Sequence, residues 1–289
     1  MNSVILTVLI LLFASGAKAD VIVLRSDYWC PYVCNPDSST PGYMVEIAKA
    51  VFEPQGHHIQ IVTTNWARSI KDARANKAQG ILGACVADAP DFIFPKNSLG
   101  LMKNAFFVPK DSRWEYTGRG SLQGKRLGVI NGYTYGGSME PLIRHRHRTF
   151  IPFSGDRPLE QMIRMLNARR LDGFIENPLV VQYTTHANSH NIEKFKIAGW
   201  VDDEAVDLFI AFSPNNPHSE TYADILSKGV EELRRSGKLQ RILNKYNLHD
   251  WKESPQKYLS LDSAEKNDSE NRKAKPRASH NLMTLYPEA

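Results

Sequence analysis

The sequence predicts an α/β protein built as two lobes, each a mostly parallel sheet flanked by helices. Two observations carry this. Short apolar runs alternate with amphipathic helical segments in the order strand, helix, strand, helix, strand over residues 21–86, and the same order begins again near residue 121. Two extended segments, 104–109 and 207–213, lead out of the first unit and back to it, so one chain threads both lobes.

The elements follow in order. Val4 to Ala14 is an uncharged apolar run, too short to anchor in a bilayer, and Ala17-Lys18-Ala19 is an A-x-A cleavage pattern. No Lys or Arg precedes the run. Residues 1–19 are therefore expected to be a secretory signal peptide cleaved after Ala19, the alternative being a buried N-terminal core helix. About 270 residues remain, enough for two modest lobes. Val21 to Leu24 reads as a buried strand. The helix Gly42 to Phe52 puts Met44, Ile47, Ala48 and Val51 on one face. His58 to Val62 is the second strand, Asn65 caps a helix from Trp66 to Ala78, and Ile81 to Val86 is the third strand. Strands at 126–130, 149–153 and 171–175 repeat the pattern, with a glycine-rich turn (Asn131 to Gly137) leading into a helix after the first of them. The helix Pro158 to Ala168 buries Leu159, Met162, Ile163 and Leu166. Pro178 stops the last strand and can open the next helix. The helices 219–235 and 238–246 close the chain onto the first unit. Residues 253–289 are polar, without apolar periodicity, and are expected to be a disordered tail. Lobe one thus spans 20–107 and 207–252, and lobe two 108–206.

Composition narrows the function. Hydrophobic content of 42% is that of a globular chain, and nothing after residue 20 is long and apolar enough to be a membrane segment. The net charge of +5 is mild and spread out, so nucleic acid is not an expected partner. The run from Arg144 to Arg148 reads as a solvated helix end and loop, with a phosphate or partner-docking patch as the minor reading. Of the three cysteines, Cys30 and Cys34 enclose a short loop and are the first choice for a disulfide in an oxidising compartment. Cys85 is then left over as a small buried residue. No metal site and no cofactor are expected.

Four stretches share a family pattern. Gly42-Tyr43-Met44-Val45-Glu46-Ile47 resembles a first-helix opening, and Leu122-Gln123-Gly124-Lys125-Arg126-Leu127-Gly128-Val129 the start of a second lobe. Arg170-Leu171-Asp172-Gly173-Phe174-Ile175 resembles the segment carrying that lobe's last parallel strand, and Ser236-Gly237-Lys238-Leu239-Gln240-Arg241-Ile242 a C-terminal helix. In this order, and after a signal peptide, the chain resembles the family 3 periplasmic solute-binding proteins, the polar-amino-acid receptors of ABC importers. The resemblance covers roughly residues 20–250. It implies the type II periplasmic binding protein fold, two hinge crossovers, a periplasmic location, and an importer permease or membrane sensor as partner to a monomer.

Ligands of open α/β sheets sit beyond the carboxyl ends of the strands, which in two lobes face each other across a cleft. Tyr28, Trp29 and Tyr32 follow the first strand and either clamp a ligand or pack the lip around the disulfide. Trp66 suits an aromatic wall. Arg68 can reach a carboxylate or stay exposed on its helix. Cys85 ends the third strand. Tyr133 and Thr134 lie in the glycine-rich turn, whose amides and following helix would favour an anion. Glu176 stands where the family often places an acid that holds an ammonium group. Asn177 assists it or caps a helix.

One departure stands out. The resemblance implies a T-x-x-R motif whose Arg grips the ligand's α-carboxylate, but this chain has Ala89-Pro90-Asp91-Phe92, and no Arg between residues 75 and 112. Either Arg68 takes the carboxylate or the ligand is not an ordinary α-amino acid. The aromatic residues suggest a ligand with a flat or aliphatic face as well as charge. The expected function is a receptor that closes on a small polar, zwitterionic or charged solute by hinge motion and has no chemistry of its own. The alternative is a periplasmic enzyme resembling cyclohexadienyl dehydratase, with Glu176 as general acid. A structural or adhesion module ranks last.

Overall fold

The computed structural model describes residues 20–145, 148–187, 192–201 and 204–259. The expected signal peptide, part of the basic run and most of the expected tail lie outside them.

The first lobe begins with β1 (Val21–Ser26), α1 (Tyr43–Phe52), β2 (His58–Thr63), α2 (Trp66–Arg74), β3 (Gly80–Ala84) and β4 (Gly100–Met102). The second contains β5 (Ala105–Pro109), β6 (Leu127–Ile130), α3 (Glu140–His145), β7 (Phe150–Phe153), α4 (Pro158–Asn167), β8 (Gly173–Glu176), α5 (Pro178–Ala187) and β9 (Phe195–Trp200). The chain then returns through β10 (Val206–Phe212), α6 (Ser219–Arg235), α7 (Lys238–Asn244) and α8 (Pro255–Leu259).

Each lobe is a five-stranded sheet, ordered β2-β1-β3-β10-β4 in one and β7-β6-β8-β5-β9 in the other. Three strands of each are parallel, as the strand–helix alternation predicts. Two antiparallel strands complete each sheet and make it mixed. Both faces of these sheets are covered, so the strands read as continuous apolar runs. In lobe one Ile22, Leu24 and Leu82 pack with Met44, Ile47 and Phe52 of α1. In lobe two Phe106, Leu127, Val129, Phe150 and Ile175 form their own cluster.

Several boundaries move. Residues 104–109 are not a link outside the sheets: β5 pairs with β8 and β9, so the chain crosses between lobes at Lys103–Asn104, earlier than the expected division after Phe107. The two crossovers touch, since the Val201 amide donates to the Asn104 carbonyl at 2.9 Å. The helix expected to reach Ala78 ends at Arg74, because Asn76 takes a left-handed conformation (φ 56°). The tail does not begin at residue 253. Pro255 opens α8, and Tyr258 is fully buried, its hydroxyl 2.8 Å from that of Tyr43. One buried aromatic holds this turn where composition alone reads disorder.

Candidate functional site

The carboxyl ends of β1, β3, β6 and β8 meet between the lobes. β1 delivers Asp27 and Trp29, β3 delivers Cys85 and Asp88, β6 delivers Tyr133 and Thr134, and β8 ends on Glu176. The turn after β6 can come this close because Gly132 adopts φ 85° beside α2. A side chain there would have its Cβ 3.0 Å from that of Ala67.

Three acids are buried in this cleft. Asp27 accepts a short hydrogen bond from the Tyr133 hydroxyl across the lobes. Burial pushes its carboxyl up to about 6, although that hydrogen bond pulls it down. Asp88 accepts from the Cys85 amide at 2.8 Å, and burial raises its carboxyl although the Thr134 and Trp66 side chains hold it down. Glu176 Oε1 accepts from Trp29 Nε1 at 3.2 Å and from the Asn177 amide at 2.7 Å. Its Oε2 is sealed from solvent without a hydrogen-bond partner. Burial pushes Glu176 up to about 8, so at neutral pH it is mostly protonated in this arrangement.

Aromatic rings fill the rest. Tyr133 stands edge-on to Trp29 (6.5 Å between centroids) and to Trp66 (6.4 Å). The central recess, floored by Leu82, Gly83 and Met102, holds about 20 Å³, room for a water or two. In this arrangement, with Tyr133 on Asp27, the recess is too small for anything larger than water. Outside lies a groove of about 390 Å³, where the Arg157 guanidinium covers the Tyr28 ring at 4.7 Å.

Trp29, Trp66, Tyr133, Thr134 and Glu176 thus come together. Tyr28 sits at the mouth. Tyr32 does not line the recess. It stacks behind Trp29 at 4.1 Å, donates to the Leu101 carbonyl and accepts from Asn177 Nδ2 at 3.1 Å. Asn177 also caps α5, accepting from the Leu179 amide. Cys85 is buried beside Asp88 and burial pushes its thiol up to about 12, while Cys30 and Cys34 form the expected disulfide.

Two expectations fail. Arg68 does not face the cleft: its side chain is 64% exposed and its Nε lies 3.3 Å from Asp72, an acid already held by Arg25. The i, i+4 spacing on α2 turns it that way. The glycine-rich turn is no anion site either. Its helix, α3, starts only at Glu140, and the Tyr135 amide already donates to the Glu140 carboxylate at 2.7 Å. The Ile130 amide donates to the Tyr135 hydroxyl, and the cleft acids beside the turn would repel an anion. Asp91, in place of the family's arginine motif, forms a surface pair with Arg74. Asp27 and Asp88 were missed as site residues. Each stands just past the carboxyl end of a parallel strand, and that position was the available signal.

Comparison with known proteins agrees with this architecture. A sequence profile described as "Bacterial extracellular solute-binding proteins, family 3" matches residues 21–249. The chain belongs to this family. No curated protein matches it by sequence. Among solved structures, a mutant of ArgBP from T. maritima superposes with a TM-score of 0.65 at 17% identity, over 79% of this chain and 95% of that one. A histidine kinase sensor domain with similarity to periplasmic binding proteins gives 0.64 at 19%, over 78% and 95%. The amino acid ABC transporter substrate-binding protein AbpA from Streptococcus pneumoniae, bound to L-arginine, gives 0.61 at 17%, over 79% and 94%. At these identities the likeness establishes the two-lobed fold. No helix among the described residues is long and apolar enough to cross a membrane.

Proposed function

We propose that this solute-binding protein works in the periplasm, captures a small polar solute bearing a positive charge, and presents its closed form to an ABC importer or a membrane sensor. Glu176 carries the reading: an acid of lobe two, buried against Trp29 of lobe one, with one oxygen still unpartnered. A charge there needs a partner, and a bound ammonium or guanidinium supplies one. Arginine bound to AbpA is in keeping with a cationic solute, and the sensor-domain neighbour keeps the signalling role open beside transport.

The test is thermal unfolding of residues 20–289 against amino acids, polyamines, short peptides and organic acids. A specific solute at a hundred times its dissociation constant should add about 2.7 kcal/mol. The hit should disappear in Glu176→Ala, and its persistence there would refute the cleft assignment. The raised carboxyl of Glu176 also suits a general acid, the one observation in favour of a lyase. Recovery of the solute unchanged after incubation speaks for the receptor, and a product for the enzyme.

A further inference from the structure

We propose that the solute is an organic amine or guanidine that carries no carboxylate of its own. This rests on the receptor reading and narrows its ligand class.

Three acids from two lobes are buried in the cleft, and among the described residues the cation that borders it, Arg157, is paired with Glu160. Asp27 and Asp88 border the central recess, and Glu176 borders a neighbouring one, with Trp29 and Tyr133 lining both. Glu176 Oε2 is the unpartnered oxygen, on a side chain only 1% exposed. Trp29, Trp66 and Tyr133 line the recess, and the face of an aromatic ring attracts ammonium and guanidinium groups.

The arginines nearest the cleft and three amides of the turn after β6 are already engaged. Arg68 is on Asp72 outside the cleft, and Arg25 is on the same acid. Arg157 borders the Glu176 recess and the outer groove but not the central recess, and it pairs with Glu160 at 2.7 Å. In the turn after β6 the amides of Asn131, Tyr133 and Tyr135 already donate to Phe153, Ile130 and Glu140. A solute carboxylate entering here would meet three acids and no free donor of positive charge, and like charges at this range disfavour ionisation of both. An amine enters with the charge the acids lack and takes the place of the Tyr133 hydroxyl on Asp27.

The experiment is isothermal titration of the purified protein, residues 20–289, at pH 8 with two matched pairs, agmatine against arginine and cadaverine against lysine. Each pair differs by one α-carboxylate. Agmatine or cadaverine should bind at least about tenfold more tightly than its partner, the effect of one unfavourable charge contact of roughly 1.4 kcal/mol. Arginine or lysine binding as tightly as its amine overturns the proposal, as does the absence of binding by all four. Glutamine, succinate and glucose run alongside. A hit among these with none among the four overturns the amine assignment and leaves the receptor reading standing, whereas silence throughout overturns both. Glu176→Gln keeps the acceptor for Trp29 and should weaken the amine roughly 10- to 100-fold. Arg68→Ala should leave amine affinity unchanged, and a loss there would return the carboxylate-binding role to Arg68.

Discussion

Glu176 is held by geometry in a form that its chemistry resists. Its carboxyl lies at about 8 in the folded protein against an ordinary 4.5, because burial removes water that a charge would need. A raised folded value means that the native state binds more protons, so the stabilisation is complete below 4.5 and is lost as pH rises through 8. Asp27, at about 6, makes its share of the loss lower in the range. The groups around Glu176 are Asp27, Tyr32, Tyr133 and Tyr135, with Arg157 and Glu160 bordering its recess, and none places a cation directly on it. Urea midpoints of the protein without solute should therefore fall from pH 6 to pH 8, and fall less in Glu176→Gln. Equal slopes in both proteins would show that Glu176 is not held protonated. Glu176 was legible in the sequence as the acid ending a strand before Pro178. The direction taken by Arg68 was not, because it depends on Asp72, one helical turn further on, being a buried acid that Arg25 of β1 also holds.

At the scale of elements, strand–helix alternation identified all six parallel strands, since their buried runs are long and their helices amphipathic. It passed over β4, only three residues long, and β9, whose Gly199 takes φ 152°. It also passed over α8, where a single side chain decides. Tyr258 is buried beside Gly100, whose Cβ position would lie 2.2 Å from the Tyr43 hydroxyl and 2.7 Å from that of Tyr258. Hence only glycine fits at the start of β4. Tyr258→Phe should cost about 1 kcal/mol, one buried hydrogen bond. Tyr258→Ala should cost about 3 kcal/mol or more through the cavity it leaves. Chemical denaturation measures both, and a neutral Tyr258→Ala would mean that α8 is not docked in solution. The hydroxyl network from Tyr258 and Tyr43 continues through Tyr32 to Asn177, so α8 braces the back of the cleft.

For the whole molecule, the buried acids predict that lobe closure is coupled to protons. Water reaching Asp27, Asp88 and Glu176 on opening should return them toward ordinary carboxylates, so closure should take up protons and weaken as pH rises. An amine replaces those protons with its own charge. Small-angle scattering without solute should give a larger radius of gyration at pH 9 than at pH 5, and agmatine should reverse the increase at pH 9. A radius independent of both would separate closure from the cleft acids. The movement needs no new fold, because the lobes are joined at Lys103–Asn104 and at the return into β10, whose facing residues Val201 and Asn104 share one hydrogen bond.

By itself the sequence determined the two lobes, the order of their parallel strands, the disulfide between Cys30 and Cys34, and the family. The lobes and parallel strands follow from periodicity, a local property that survives being read along the chain; Cys30 and Cys34 are the first choice for a disulfide, and the family comes from the resemblance of four motif stretches. Only the tertiary structure decided the electrostatics of the cleft. Asp27 and Asp88 lie about sixty residues apart in sequence and Glu176 much further on, and their places after strands mark them singly without showing that they are buried together. Burial between two lobes makes them a site, and the turning of Arg68 onto Asp72 leaves that site negative. Charge in a protein is set by what surrounds a group in space, and for Asp27 and Glu176 part of the surroundings, Tyr133 and Trp29, comes from the opposite lobe.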